Sequence, residues 1–186
     1  MDTITVTLII GSARRERFAD ALVPWLSRAV ARHEGVRLEV VDVTSAGLDG
    51  RDMRPGGTPT RAAATLREAD AFVVLTPEYN HSFPGALKDA IDLHFGEWRR
   101  KPVGFVSYGA RTGGAQAVEQ LRQVFAELGA ATVREAVLLA HPWNHLGDDG
   151  FEPPADVDAA ADAMMAELHW WATALRAARV RDQVPA

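Results

Sequence analysis

The 186-residue sequence contains no cysteine. Disulfides, thiolate nucleophiles, Fe–S clusters and cysteine-ligated zinc are therefore excluded, and the absence fits a cytoplasmic protein. An excess of positive charge is missing too: 20 Lys and Arg stand against 25 Asp and Glu, a formal net charge of −5. That balance speaks against a nucleic-acid partner and against charge-driven attachment to a membrane. No apolar run approaches the roughly 20 residues that cross a bilayer. The amino terminus has no basic stretch followed by an apolar segment and a small-residue cleavage site, so no signal peptide is expected. Internal repeats and low-complexity segments are also lacking. What remains is ordinary for a globular chain, 47% hydrophobic and 24% charged. At roughly 150 residues per domain, residues 1–186 read as one domain with enough chain to bury its own core.

Strand-like and helix-like patterns alternate five times. The first strand is expected over 3–10, a run rich in β-branched residues that stops at Gly11. A helix is expected over about 17–33, with Phe18, Leu22, Trp25, Leu26 and Ala29 on one stripe. Pro24 inside it predicts a kink or a late helix start. The second strand is expected over 36–43, followed by a Gly- and Pro-rich loop over 44–59. Further along, helices are expected over 60–69, 84–95 and 114–128, the last closed by Gly129. Strands are expected over 71–76, 102–107 and 132–139. A loop over 141–154 leads into a long helix over 155–180. Met164, Met165, Leu168, Trp171 and Leu175 form its packing stripe, and Trp170 stands outside it, with an interface as one use. Alternating β and α elements imply an α/β three-layer sandwich whose parallel sheet has helices on both faces. Five strands in this length fit the flavodoxin-like order 2-1-3-4-5.

In such a sheet ligands bind beyond the carboxyl ends of the strands, so three loops carry the chemistry. The first, GSARRER over 11–17, joins a strand to a helix and offers backbone N–H groups to an anion. Ser12, Arg14 and Arg17 suit a monophosphate, and the plainer alternative is a solvated basic turn with Glu16 neutralising a neighbour. The GxGxxG and GxxxxGK[ST] fingerprints are both absent, which removes support for the usual dinucleotide and triphosphate sites. The second loop follows a buried strand and is stiffened by Pro77 and Pro84. Its N–H groups at Glu78, Tyr79 and Asn80 suit the edge of a flat heterocycle; a rigid turn with Tyr79 covering the sheet edge is the alternative. The third loop, SYGARTGG over 107–114, has glycines that permit close backbone approach, and alone it reads as a flexible turn. His141 and His145 are four apart, but Pro142 argues against a helical metal site. Trp143 either covers the core or lines a substrate pocket. Asp42 reads as a solvated strand end.

Taken together, GSARRER, TPEYNHSFPGALKDAID over 76–92 and SYGARTGG resemble the NAD(P)H-dependent FMN reductase family, over roughly residues 3–140. The resemblance implies a flavodoxin-like fold and an FMN phosphate held by Ser12, Arg14 and Arg17, with Phe18 and Ala19 nearby. Arg17 replaces the small hydroxyl residue of many relatives, so its contact is less direct. Pro77, Glu78, Tyr79 and Asn80 would frame the isoalloxazine, and Ser107, Tyr108, Gly109 and Gly113 would close the other side. A homodimer or homotetramer is implied, with helix 84–95 as a contact surface. So is ping-pong transfer of a hydride from NADPH or NADH to FMN and then to a small acceptor: a quinone, azo dye, nitroaromatic, chromate or free flavin. The resemblance names no catalytic acid or base; Glu78 and His81 read as structural, and Tyr79 and Tyr108 as shaping the acceptor site. The alternative function is an FMN-binding electron carrier or regulatory module that does not turn over nicotinamide.

Overall fold

A computed structural model of the chain describes residues 3–47 and 60–182. Five parallel strands form the sheet: β1 (Ile4–Ile10), β2 (Val36–Asp42), β3 (Ala71–Pro77), β4 (Pro102–Gly109) and β5 (Ala131–Ala140). Their order is β2-β1-β3-β4-β5. Central strands β1 and β3 are buried along their whole length. That is why β3 reads as an apolar run and β1 as a β-branched run that is apolar at its end, whereas the edge strands β2 and β5 mix buried and open positions.

The side chains of β3 alternate between two cores. Ala71, Val73 and Leu75 face α1 (Ala19–Ala31) and α5 (Ala155–Arg181). Phe72 and Val74 face α2 (Ala63–Glu68), α3 (Gly85–Asp92) and α4 (Ala115–Glu127). On the first side Gly104 matters, because a Cβ there would stand 3.1 Å from the Met164 sulfur. Glycine lets α5 lie close on β4. On the second side Trp98 packs edge-on against Phe72 and Phe125, with centroids 4.8 and 5.5 Å apart.

Several boundaries differ from expectation. Helix α1 starts at Ala19 and runs through Pro24 without interruption. Pro24 lies on the exposed face, where water can satisfy the carbonyl that its missing N–H leaves free. Helix α3 ends at Asp92 instead of 95, and a 3-10 turn follows over Gly96–Trp98. The Trp98 indole turns inward and donates to the Ile91 and His94 carbonyls, at 3.1 and 2.6 Å, which closes the helix end. The 141–154 loop has structure of its own: a 3-10 turn over Pro142–His145 and two short strands, Leu146–Gly147 and Gly150–Phe151. Of the loop expected over 44–59, residues 48–59 lie outside the described residues. None of the described helices is long and apolar enough to cross a membrane.

The chain leaves β1 toward β2 on one side and later leaves β3 toward β4 on the other. The loops after β1 and β3 therefore diverge and open a crevice at the carboxyl edge of the sheet.

Candidate functional site

That crevice is a cleft of about 420 Å³ lined by residues from four segments: Arg14, Glu16, Arg17 and Phe18; Pro77, Glu78, Tyr79 and Asn80; Tyr108, Gly109 and Ala110; and Trp143. The three loops singled out from the sequence thus converge on one place. Ser12, Ala19, Ser107 and Gly113 do not line it; they are buried beneath it.

One end of the cleft is a set of backbone donors. Among the described residues, no acceptor stands against the N–H groups of residues 12–18. These groups precede α1, whose dipole adds to the same positive field. Arg14 lies beside them with its guanidinium carbon 3.9 Å from the Tyr79 ring centre. Arg17 is differently engaged. Its Nε donates to Asp20 at 2.8 Å, and Nη1 donates to the Ser12 carbonyl at 2.7 Å and to Asp42 at 2.8 Å. Nη2 completes a two-pronged pair with Asp42. Its side chain is only 11% exposed. Asp42 also accepts from the Thr44 N–H and hydroxyl, at 2.9 and 2.8 Å. So Asp42 is not a free strand end: it ties the first loop, through Arg17, to the end of β2. Burial pushes the Asp42 carboxyl up, but Arg17 and Thr44 together outweigh it and hold it below the ordinary carboxylate range.

The second loop is a tight hairpin. Tyr79 and Ser82 exchange backbone hydrogen bonds of 2.8 and 3.1 Å. Asn80 and His81 between them both have positive φ, 50° and 69°, as a type I′ turn requires. The Glu78 N–H goes to the Tyr108 carbonyl at 2.9 Å, so it and the Tyr79 N–H are engaged inside the protein. The Asn80 N–H and carboxamide take no part in hydrogen bonds among the described residues. Gln120 on α4 anchors the turn, donating to the His81 carbonyl at 2.7 Å and accepting from the Ser82 hydroxyl at 2.6 Å. The Glu78 carboxylate accepts from Thr112 and from the Gln116 N–H, at 2.9 and 3.1 Å, and so caps α4.

The third loop lies flat over β4 and β5. A Cβ on Gly114 would stand 2.6 Å from Ser107, and one on Gly113 would stand 2.8 Å from the Leu138 backbone. Both glycines have positive φ. The buried Ser107 hydroxyl donates to the Gly113 carbonyl at 2.8 Å and holds the loop down. Above it, Tyr108 lines the cleft and packs against Phe18 at 6.0 Å. Burial, reinforced by the neighbouring Tyr79, pushes its phenol pKa up to about 12, so the hydroxyl keeps its proton at neutral pH. The Tyr79 hydroxyl meets the buried Ser12 hydroxyl at 3.1 Å, which links the first loop to the second.

Trp143 forms an outer wall. Its ring is edge-on to Phe18 at 6.3 Å and to His141 at 5.4 Å, and it is 45% exposed. The His141 N–H donates to the Gly109 carbonyl at 2.8 Å, which starts the segment at the cleft rim. Phe151 at the segment's far end packs against Trp25 of α1 at 5.3 Å. Trp143 lines the cleft, one of the two uses expected for it, whereas the roles of Asp42 and Gln120 were not legible in any loop motif. Asp42 had one available signal: in the order 2-1-3-4-5, the end of β2 is the neighbour of the loop after β1. No group of three or more His, Asp or Glu residues is placed to hold a metal ion among the described residues.

The arrangement brings the unengaged backbone donors and Arg14, the rings of Phe18, Tyr79, Tyr108 and Trp143, and the unengaged donors of the hairpin tip to one cleft. Residues 4–144 match the family described as NADPH-dependent FMN reductase. The chain is 32% identical over 150 residues to an NAD(P)H-dependent FMN reductase of Schizosaccharomyces pombe, covering 74% of each chain. It is 32% identical over 145 residues to a quinone reductase of Pseudomonas putida, covering 72% of this chain and 77% of that one. Among solved structures it resembles FerB, a flavoenzyme NAD(P)H:(acceptor) oxidoreductase from Paracoccus denitrificans. The TM-score is 0.71 at 21% identity, covering 90% of this chain and 98% of that one. A flavodoxin of Streptococcus pneumoniae shares the fold with a TM-score of 0.61 at 15% identity, over 89% of this chain and 98% of that one.

Proposed function

The chain belongs to the NADPH-dependent FMN reductase family, and from that premise we propose that it is an FMN-dependent NAD(P)H oxidoreductase working on small acceptors of the quinone, azo, nitroaromatic or free-flavin kind. One observation carries the reading: three separate loops deliver an anion cradle and a flat aromatic slot to a single cleft. That pairing matches a ligand with a phosphate at one end and a planar ring system at the other. When bound, FMN supplies a ring nitrogen that takes up and gives out a hydride.

The chain's own residues bind, orient and screen. The N–H groups of residues 12–18 and the Arg14 guanidinium hold the phosphate. Arg17, with its nitrogens committed elsewhere, fixes the loop that carries those donors. Asn80 meets the edge of the ring system from the hairpin tip, while Pro77, Glu78 and Tyr79 set the hairpin's position. Tyr108 and Gly109 close the opposite side, and Ser12, Phe18, Ala19, Ser107 and Gly113 support them from below or beside. The open face below Trp143 receives a nicotinamide and then the acceptor, one after the other. Shared use of a single face makes the kinetics ping-pong. The same reading places the enzyme in the cytoplasm, where NAD(P)H is available, as one domain in a homodimer or homotetramer.

The test is an anaerobic titration. The purified protein is loaded with FMN, NADPH and then NADH is added, and the flavin absorbance is followed. Rapid bleaching by either donor, followed by re-oxidation with a quinone, is the expected result. A bound flavin that neither donor bleaches would replace this reading with an electron carrier, and a protein that holds no FMN would overturn both.

A further inference from the structure

We propose that Tyr79 is a positioning residue for the phosphate: its ring is the platform on which Arg14 is laid toward the anion, rather than a wall for the planar ring system. This inference rests on the flavin reading above. Both the face and the hydroxyl of Tyr79 are committed to the first loop. The Arg14 guanidinium carbon lies 3.9 Å from the ring centre, and the Tyr79 hydroxyl stands 3.1 Å from that of Ser12. So short a separation is that of a guanidinium plane resting on the ring face. In that pose its N–H groups point outward within the plane, toward an acceptor beside the ring. Arg14 itself is exposed. An arginine left to solvent loses rotamer freedom when an anion orders it, whereas one already laid on a ring has lost that freedom beforehand.

The platform is itself fixed from two sides. Through its hydroxyl it rests on Ser12, which is wholly buried and whose carbonyl accepts from Arg17 Nη1 at 2.7 Å. Arg17 is held in turn by Asp42 at the end of β2. Through its backbone it belongs to the hairpin: the Tyr79 N–H donates to the Ser82 carbonyl at 2.8 Å, and the Ser82 hydroxyl donates to Gln120 at 2.6 Å. A continuous line of contacts therefore runs Asp42–Arg17–Ser12–Tyr79–Arg14 and joins the end of β2 to the hairpin after β3. The other rings of the cleft form a separate group. Phe18 meets Tyr108 at 6.0 Å and Trp143 at 6.3 Å, and among the described residues no such ring contact reaches Tyr79. Tyr79 sides with the anion donors, although the hairpin that carries it faces the rest of the ligand.

Riboflavin, which is FMN without its phosphate, separates a platform from a wall. Fluorescence quenching gives the dissociation constants of both flavins for wild type, Tyr79→Leu, Tyr79→Phe, Arg14→Ala and Arg14→Ala/Tyr79→Leu. Tyr79→Leu removes the ring face and should weaken FMN about fivefold while leaving riboflavin unchanged. Unchanged riboflavin binding also shows that the hairpin still folds. Tyr79→Phe keeps the face and should retain most of the FMN affinity. The double variant should bind FMN no more weakly than Arg14→Ala, since a platform without its arginine holds nothing. Equal losses for FMN and riboflavin, a loss in Tyr79→Phe as large as in Tyr79→Leu, or additive losses in the double variant each overturn the proposal. Arg14→Lys is a check that leaves the hairpin untouched: lysine keeps the charge but has no plane to lay on the ring. FMN should weaken again, and full affinity overturns the platform. A wild type that holds FMN no tighter than riboflavin overturns the phosphate role of Arg14 and this assignment with it. A wild type that holds neither flavin overturns the flavin reading itself, and the platform falls with it.

Discussion

Asp42→Asn separates two roles for Arg17. Asparagine keeps the shape of aspartate but loses the charge, and it turns one Arg17 acceptor into a donor facing another donor. The clamp would lose one of its two prongs onto Arg17. A hydrogen bond to a charged group contributes about 1.5–3 kcal/mol. The Asp42 side chain is 21% exposed, so water screens part of this, and a loss of about 2 kcal/mol is expected. For a chain of this length that lowers Tm by about 4–8 °C. If roughly half the loss appears in ordering the first loop on binding, FMN affinity falls about fivefold. A direct phosphate ligand predicts the opposite sign, because Asp42→Asn would release Arg17 toward the phosphate and leave or tighten the affinity. Flavin fluorescence quenching gives the dissociation constant at several salt concentrations. Asp42→Asn should weaken binding without changing the salt slope, Arg14→Ala should flatten that slope, and Arg17→Gln/Asp42→Asn should be no worse than either single change. The pH dependence has a definite sign. The folded Asp42 carboxyl lies below its ordinary value of about 3.9, so its stabilisation is complete above that pH and is lost as pH falls through the depressed value. Wild type and Asp42→Asn should therefore converge in acid. An Asp42→Asn variant with unchanged Tm and unchanged or tighter FMN binding would refute the clamp.

Trp143→Ala removes an aromatic wall worth about 1 kcal/mol to a flat guest, so KM for a quinone should rise roughly fivefold while FMN affinity stays constant; equal KM values in steady-state assays would take Trp143 out of the acceptor site. Lys101 is wholly buried with its ammonium on the Leu66 and Arg67 carbonyls, and burial, aided by Arg179, pushes its pKa down to about 8. Between about pH 8 and 10 the unfolded chain then binds more protons than the folded one, and stability rises with pH. Lys101→Met should flatten that rise in urea-midpoint measurements, and identical slopes would contradict it. Asn80→Ala and Asn80→Gly separate side chain from backbone at φ 50°. Alanine should lose about 1 kcal/mol of stability and glycine should not, whereas both should weaken FMN binding if the carboxamide is a contact. Glycine with full affinity would leave only the backbone there.

The fold was largely legible because its signals are local. Gly11 ends β1, the β-branched run of β1 and the apolar run of β3 announce buried strands, and Gly129, at φ 71°, ends α4 as its position predicts. Boundaries failed where a distant side chain decided them. The end of α3 depends on the Trp98 indole reaching back to two carbonyls, which no pattern within 84–95 encodes. The site was legible as three loops, because the sheet topology puts their strand ends together. The division of labour among the residues was not. Ser107 and Gly113 belong to a matching segment yet serve each other beneath the surface. Arg17 has the chemistry of a phosphate ligand, but Asp42, 25 residues away, engages it. Such pairings depend on which strand ends are neighbours, so they emerge only once the sheet is assembled.

The segment over 76–92 is specific because nearly every residue in its first half holds something other than a ligand. Thr76 and Pro77 end β3, with the Thr76 hydroxyl on the Pro77 carbonyl at 3.1 Å. Glu78 caps α4, Tyr79 and Ser82 close the hairpin, and Ser82 is pinned by Gln120. Pro84, extended at φ −60° and ψ 142°, sets the entry to α3 and cannot be matched by a residue that prefers helix there. These constraints fix the tip at Asn80 relative to α4, and α4 relative to β4 through Gly114 and Ser107. A hairpin so tied has few conformations to lose when a planar ligand meets it, which lowers the entropy lost on binding. The recognisable motif is therefore mainly a device for rigidity, and the direct contacts with a ligand are the smaller share of what it specifies.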